Sequence, residues 1–305
     1  MHDAWARIRC ALGFIIALGS TKFVGGRDWW RGARRLVLDA KYPNMPMIES
    51  EGARIHCRLD GNEGGRVVVF SNSLGTNLSM WDAQVPALAA RFHVLRYDTR
   101  GHGQSGVTPG PYSIMQLGRD VIRLLDELEI ERADFCGLSM GGMTGMWLGV
   151  YAAPRIERLV LCNTAAKIGT PGIWNARIEA VRQGGMAAIA DAVIQRWFTP
   201  QFIARAPDAI KRTRQMILST PPEGYVANCA AIRDMDQRET ISRISAPTLV
   251  ITGAKDPVTT QTDAQYIVER VAGAKYAELD AAHLSNIEAA ERFTQVLVQF
   301  LEATP

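Results

Sequence analysis

The sequence predicts an α/β fold: a mostly parallel central sheet, helices on both of its faces, and a helical cap inserted between two of the strands. Three observations carry this. Short apolar, β-branched runs alternate with stretches of helical periodicity, the pattern of repeated strand–helix units. A serine stands between glycines directly after one such run, in Cys136-Gly137-Leu138-Ser139-Met140-Gly141-Gly142. From about 165 to 241 the strand signal disappears, and apolar positions such as Ile189, Val193, Ile194, Trp197 and Phe198 repeat at helical spacing.

The elements follow in order. Strand-like segments lie near Met47–Glu51, at Arg54–Leu59, at Arg66–Phe70 and at Phe92–Tyr97. Ile114, Leu117, Val121, Leu124, Leu125 and Leu128 then mark one amphipathic helix. Ala133–Cys136 reads as the strand that ends at the serine, and a helix runs onward through Met143, Met146, Trp147 and Val150. Arg158–Cys162 is the next strand. Beyond the cap, Pro247–Gly253 is an apolar run ending at glycine, followed by a helix around Asp263–Val271 and a short strand at Lys275–Leu279. The resulting organisation is a core of 47–164 and 242–305, a cap of 165–241, and an extension of 1–46.

The extension is unlike the rest. Arg7 and Arg9 precede the apolar run Ala11–Leu18, and a basic, aromatic segment follows at Trp29–Arg35. The run is too short to span a bilayer as a helix. It fits an exported protein, a surface amphipathic anchor, or upstream sequence included by a misassigned start, with Met45 and Met47 standing just before the first strand. The last of these is favoured, so membrane contact is expected only if the extension is part of the native protein.

Composition narrows the function classes. The chain has 305 residues, 47% hydrophobic and 21% charged, which suits one large domain or a domain with an insertion. A net charge of +3, with no basic run interleaved with aromatics, argues against a nucleic-acid partner. Five cysteines (Cys10, Cys57, Cys136, Cys162 and Cys229) are scattered and never form a C-x-x-C pair. That argues against a disulfide framework and a zinc site, and for a reducing compartment, here the cytoplasm. No obligate protein partner is indicated.

The serine directs the chemistry. A strand that reverses into a helix takes its turn residue through strained backbone, and flanking glycines relieve the crowding. The hydroxyl is then held proud of the sheet at a helix N-terminus, the nucleophile-elbow arrangement. Downstream, Asp256 follows one predicted strand and His283 the next. The order serine, acid, histidine is that of the α/β-hydrolases. Ser139 is therefore expected as nucleophile, His283 as general base, and Asp256 as the group that fixes the imidazole tautomer. The oxyanion donors are expected to be the amides of Met140 and of Leu74, in the loop Ser71-Asn72-Ser73-Leu74-Gly75.

From about Met47 onward the chain resembles the 3-oxoadipate enol-lactonases of the β-ketoadipate pathway. The resemblance lies in Asn72-Ser73-Leu74-Gly75, in Tyr97-Asp98-Thr99-Arg100-Gly101-His102-Gly103-Gln104-Ser105, and in the elbow with Gly145-Met146-Trp147-Leu148-Gly149. It continues in the cap, through Arg196-Trp197-Phe198-Thr199-Pro200, Thr220–Tyr225 and Ala231–Asp236, and closes with Ala282–Glu288. The elbow and the Arg-Gly-His-Gly stretch are common to the superfamily, whereas the cap segments are more specific. The resemblance implies a cofactor-free serine hydrolase, with no metal, that opens a small anionic enol-lactone through an acyl-enzyme. No appended decarboxylase domain is expected.

The substrate's carboxylate calls for a cation or an N–H donor from the cap. Arg177, Arg182, Arg196 and Arg233 are candidates, with Arg233 preferred; Trp147 and Tyr225 are further candidate substrate contacts. His102, in its Gly-rich turn, is expected to be a structural hydrogen-bonding residue. A general carboxylesterase, a cofactor-free perhydrolase or a carbon–carbon bond hydrolase keeps the same triad with a different cap. A non-catalytic ligand receptor on the same fold is the alternative from another class.

Overall fold

The computed structural model describes residues 47–303, so the readings for 1–46 lie outside the described residues. Eight strands form one sheet: β1 (Met47–Ser50), β2 (Ala53–Gly61), β3 (Val67–Ser71), β4 (His93–Tyr97), β5 (Ala133–Leu138), β6 (Ile156–Cys162), β7 (Thr248–Gly253) and β8 (Lys275–Leu279). Their spatial order is β1-β2-β4-β3-β5-β6-β7-β8. β2 runs antiparallel to both β1 and β4, and every other pairing is parallel.

The burial of each strand explains its sequence. All six residues of β5 and of β7 are buried, as expected of parallel strands covered on both faces, and both read as continuous rather than alternating apolar runs. β8 closes one edge and carries the exposed Lys275 and Glu278, charges that discourage pairing with another chain.

Helices cover the sheet: α1 (Val85–Ala89), α2 (Ile114–Glu127) and α3 (Met140–Tyr151) before the insertion, and α9 (Gln261–Arg270), α10 (Ser285–Glu288) and α11 (Ala290–Glu302) after it. In α2 the Ser113 hydroxyl accepts from the Gln116 amide at 3.1 Å, capping the helix start. Its stripe of Ile114, Leu117, Val121, Leu124 and Leu125 is buried.

Between β6 and β7 lie five consecutive helices: α4 (Pro171–Gly184), α5 (Ala187–Trp197), α6 (Pro200–Arg205), α7 (Pro207–Ser219) and α8 (Pro222–Asp234). Thr170-Pro171 and Thr199-Pro200 start two of them with a capping hydroxyl and a proline in the first turn. The insertion is fastened to the loop after β8. The Leu284 amide donates to the Trp197 carbonyl at 3.1 Å, and the buried Glu288 carboxylate accepts from Thr199 and, at 2.9 Å, from the Ala282 amide.

Parallel register brings the functional candidates to one edge. Ser71 pairs with Gly137, Leu138 with Cys162, Cys162 with Ile251, and Gly253 with Leu279. The strands therefore end side by side, and Ser139, Asp256, His283 and the loop after β3 all leave from their C-terminal ends, where open α/β sheets bind ligands. Among the described residues Cys57, Cys136, Cys162 and Cys229 are buried free thiols. No helix among them is long and apolar enough to cross a membrane.

Candidate active site

Ser139 joins β5 to α3 with φ 58° and ψ −113°, backbone that a non-glycine residue adopts at a cost of order 1–3 kcal/mol. Its surroundings enforce the turn. The Ser139 amide donates to the Cys162 carbonyl at 2.9 Å, and its own carbonyl accepts from the Thr164 hydroxyl at 2.8 Å and the Met143 amide at 3.0 Å. The glycines either side are required by contact. A Cβ at Gly137 would collide with the Gly141 carbonyl, and one at Gly141 with the Ser71 carbonyl. The serine side chain caps nothing, so its hydroxyl is not committed to the helix.

The structure brings His283 and Asp256 together. The His283 Nδ1 lies 2.8 Å from Asp256 Oδ2, with both side chains buried. Asp256 is held from several sides: its Oδ1 accepts from the amides of Val258 at 2.7 Å and Thr259 at 3.1 Å. Its Oδ2 also accepts from the Thr259 hydroxyl at 2.7 Å and from Asn163 Nδ2 at 2.9 Å. Burial pushes the carboxyl up, but His283, Asn163 and Thr259 outweigh it and hold Asp256 below the usual carboxylate range. An ionised Asp256 fixes the proton of His283 on Nδ1, which leaves Nε2 as the basic nitrogen. Asn163 and Thr259 were not anticipated from the sequence. The signal for Asn163 was a polar residue directly after a buried strand; it is positioned by Ser285, whose hydroxyl donates to Asn163 Oδ1 at 2.6 Å.

The loop after β3 is built as firmly. Asn72 donates to the Tyr97 carbonyl at 2.7 Å and accepts from Trp81 Nε1 at 2.9 Å, so a buried core aromatic anchors the loop. The Asn72 carbonyl accepts from the Gly141 amide at 3.0 Å, tying the loop to the elbow. Neither the Leu74 nor the Met140 amide donates to an acceptor among the described residues. Both remain available to an anion, Met140 as the first residue of α3.

His102 serves this loop. Its Nε2 accepts from the Gly75 amide at 2.9 Å, which requires neutral imidazole, and burial lowers its pKa to about 4. A histidine depressed from 6.5 to about 4 contributes stability that is complete above pH 6.5 and lost as pH falls through 4. The span corresponds to roughly 3 kcal/mol. Urea titrations between pH 7 and 4 are expected to show this loss in the wild type and a flatter dependence in His102→Gln.

The predicted substrate contacts separate. Tyr225 adjoins the loop: a Cβ placed on Gly75 would lie 3.2 Å from its ring. Trp147 does not face the serine. Its ring packs against Gly118 of α2 and lies 5.5 Å, centroid to centroid, from Tyr151, so the expectation that it lines the pocket is corrected. Arg233 is also corrected. It forms a forked pair with Asp234 at 2.7 and 2.8 Å, donates to Asn175 at 2.9 Å, and lines an outer cavity that also holds Arg182.

Comparison with known proteins shows the family. A family profile described as alpha/beta hydrolase fold matches residues 66–290. The chain is 43% identical to 3-oxoadipate enol-lactonase 1 of Acinetobacter baylyi over 260 residues, covering 85% of this chain and 97% of that protein. It is 45% identical to 3-oxoadipate enol-lactonase 2 of the same organism over 230 residues, 75% and 86% of the two chains. The crystal structure of the enol-lactonase from Burkholderia xenovorans superposes with a TM-score of 0.84 at 48% identity, covering 85% of this chain and all of that one. The chain belongs to the α/β-hydrolase family and, within it, to the 3-oxoadipate enol-lactonases.

Proposed function

We propose that this protein opens 3-oxoadipate enol-lactone to 3-oxoadipate, with Ser139 as nucleophile, His283 as general base, Asp256 as its orienting acid, and the amides of Leu74 and Met140 as the oxyanion hole. The observation that carries the reading is the pairing of His283 with an ionised Asp256 at the strand-end edge where Ser139 turns, in a chain 43–45% identical to curated enol-lactonases.

The steps follow from the residues. Ser139 Oγ attacks the ring carbonyl and gives its proton to His283 Nε2. The oxyanion of the tetrahedral intermediate meets two preorganised N–H donors, each worth about 3 kcal/mol in other hydrolases. Collapse breaks the ring C–O bond and expels an enolate, a better leaving group than an alkoxide, so little is asked of His283 as acid. The leaving group stays tethered to the acyl group; it takes up the proton held by His283, and ketonisation of the enol prevents it from closing the ring again. Water activated by His283 then cleaves the acyl-enzyme and frees Ser139. The five inserted helices, fastened at Trp197 and Glu288, act as the cap that shapes the pocket for this substrate. The four buried free thiols among the described residues suit a reducing cytoplasm.

The test is the loss of enol-lactone ultraviolet absorbance with freshly generated lactone and identification of 3-oxoadipate as product. Acceleration well above the spontaneous rate is expected. Folded protein that cleaves aryl esters but leaves the lactone at its spontaneous rate contradicts the reading.

A further inference from the structure

Two helices of the insertion start in the same way, and only one of the starts is tied to the site. Thr170-Pro171 opens α4 and Thr199-Pro200 opens α6. Each threonine hydroxyl accepts from the amide three residues on, Ile173 at 3.4 Å and Phe202 at 3.2 Å. Thr170 is exposed, whereas Thr199 is buried. Capping uses only a lone pair of the hydroxyl, so its proton is free for a second partner. At Thr199 that partner is the buried carboxylate of Glu288, which the Thr199 amide also meets at 3.3 Å from each oxygen. Hydrogen bonds to an ionised acceptor are roughly twice as strong as neutral ones, so this start is held far more firmly than its twin.

The same carboxylate reaches the loop that carries His283. On one side of the histidine, the Ala282 amide donates to Glu288 Oε2 at 2.9 Å. On the other, the Leu284 amide donates to the Trp197 carbonyl at 3.1 Å, an acceptor that the last turn of α5 leaves without a helical partner. Both amides that flank His283 are therefore committed to the junction 197–199 or to the acid it holds. The Ala282 carbonyl is met from the sheet side by Asn163 Nδ2 at 3.3 Å. The ring of Trp197 lies 6.5 Å from the imidazole. Asp256, at 2.8 Å from Nδ1, sets the direction of the imidazole, and these contacts set where its backbone stands.

We propose that Thr199 and Glu288 are positioning residues: through the Ala282 amide they hold His283 in line with Ser139 only while the junction between α5 and α6 is seated. The insertion then does more than shape a pocket, because its docking and the alignment of the general base are one event. This inference rests on His283 as general base, not on which ester is opened. Its test measures kcat and KM for the enol-lactone and for phenyl acetate, a small neutral ester, with folded concentrations set by circular dichroism. Thr199→Val removes the hydroxyl and keeps the shape. It is expected to lower kcat about 10- to 100-fold on both substrates alike, with KM changed less than about threefold, because a misplacement of ~1 Å costs on the order of 100-fold. Thr199→Ser restores most of kcat. Glu288→Gln must turn an NH₂ toward either Thr199 or Ala282 and is expected to show the same equal loss. Thr170→Val removes the matching cap of α4, so it lowers the melting temperature and keeps wild-type kcat. A loss in Thr199→Val and Glu288→Gln confined to KM for the lactone overturns the proposal, since the insertion then acts on substrate alone. A lower melting temperature with wild-type kcat on both substrates overturns it as well. His283→Ala with undiminished turnover overturns the reading of His283 as base. If the lactone is not turned over, the lactonase reading falls and the ester alone decides the coupling.

Discussion

Replacing Ser139 with alanine is expected to lower enol-lactone turnover by about 10⁴- to 10⁶-fold, leaving the spontaneous rate and whatever the oxyanion hole adds to water attack. The fold is expected to be unaffected. The serine side chain caps no helix amide, so alanine removes no hydrogen bond from α3, and alanine keeps the Cβ and with it the strained φ of 58°. Melting temperature and circular dichroism therefore stay near wild type while kcat collapses. Ser139→Gly separates strain from chemistry: it is equally inactive, yet more stable by roughly 1 kcal/mol because glycine relieves the positive φ. A Ser139→Ala protein that retains more than a hundredth of wild-type kcat removes Ser139 from the nucleophile's place.

Asp256→Asn is expected to cost about 10³- to 10⁴-fold in kcat, for a reason readable in its contacts. Oδ2 faces the ring nitrogen of His283, the Thr259 hydroxyl and Asn163 Nδ2, and Oδ1 faces two backbone amides. An asparagine must turn its NH₂ toward one set of donors. If it faces His283, the imidazole adopts the other tautomer, with its proton on Nε2, and cannot take the serine proton. If it faces the Val258 and Thr259 amides, the loop after β7 loses its anchor. Either way the unfolding free energy falls by about 1–3 kcal/mol as well. Kinetics with a parallel urea titration check both parts, and kcat within tenfold of wild type contradicts the role given to Asp256.

Much of this was legible in the sequence because it depends on local order. Buried parallel strands read as unbroken apolar runs, so β5 and β7 were found within two residues of their ends. The candidate triad was legible because each member lies within a few residues of a strand end, and parallel register then aligns those ends without further information. Asn163 was missed because it meets Asp256 only across the fold, and Thr259 because its hydroxyl reaches Asp256 only through the turn of the loop after β7. Trp147 failed for a physical reason: α3 is apolar nearly all round, so periodicity does not say which neighbour each side chain faces. Arg233 failed by helical drift. At 3.6 residues per turn, eight residues carry it about 80° around α8 from Tyr225, out of the inner side and onto the outer one.

The central claim is that the lactone is opened on Ser139. Wild-type enzyme mixed with fresh enol-lactone, quenched in acid within milliseconds and mapped by mass spectrometry, tests it most directly. Because ring opening releases no fragment, the account predicts an adduct of the full lactone mass on the peptide that contains Ser139, absent from the Ser139→Ala protein. An adduct on another residue, or lactone consumed at the wild-type rate by Ser139→Ala, contradicts it.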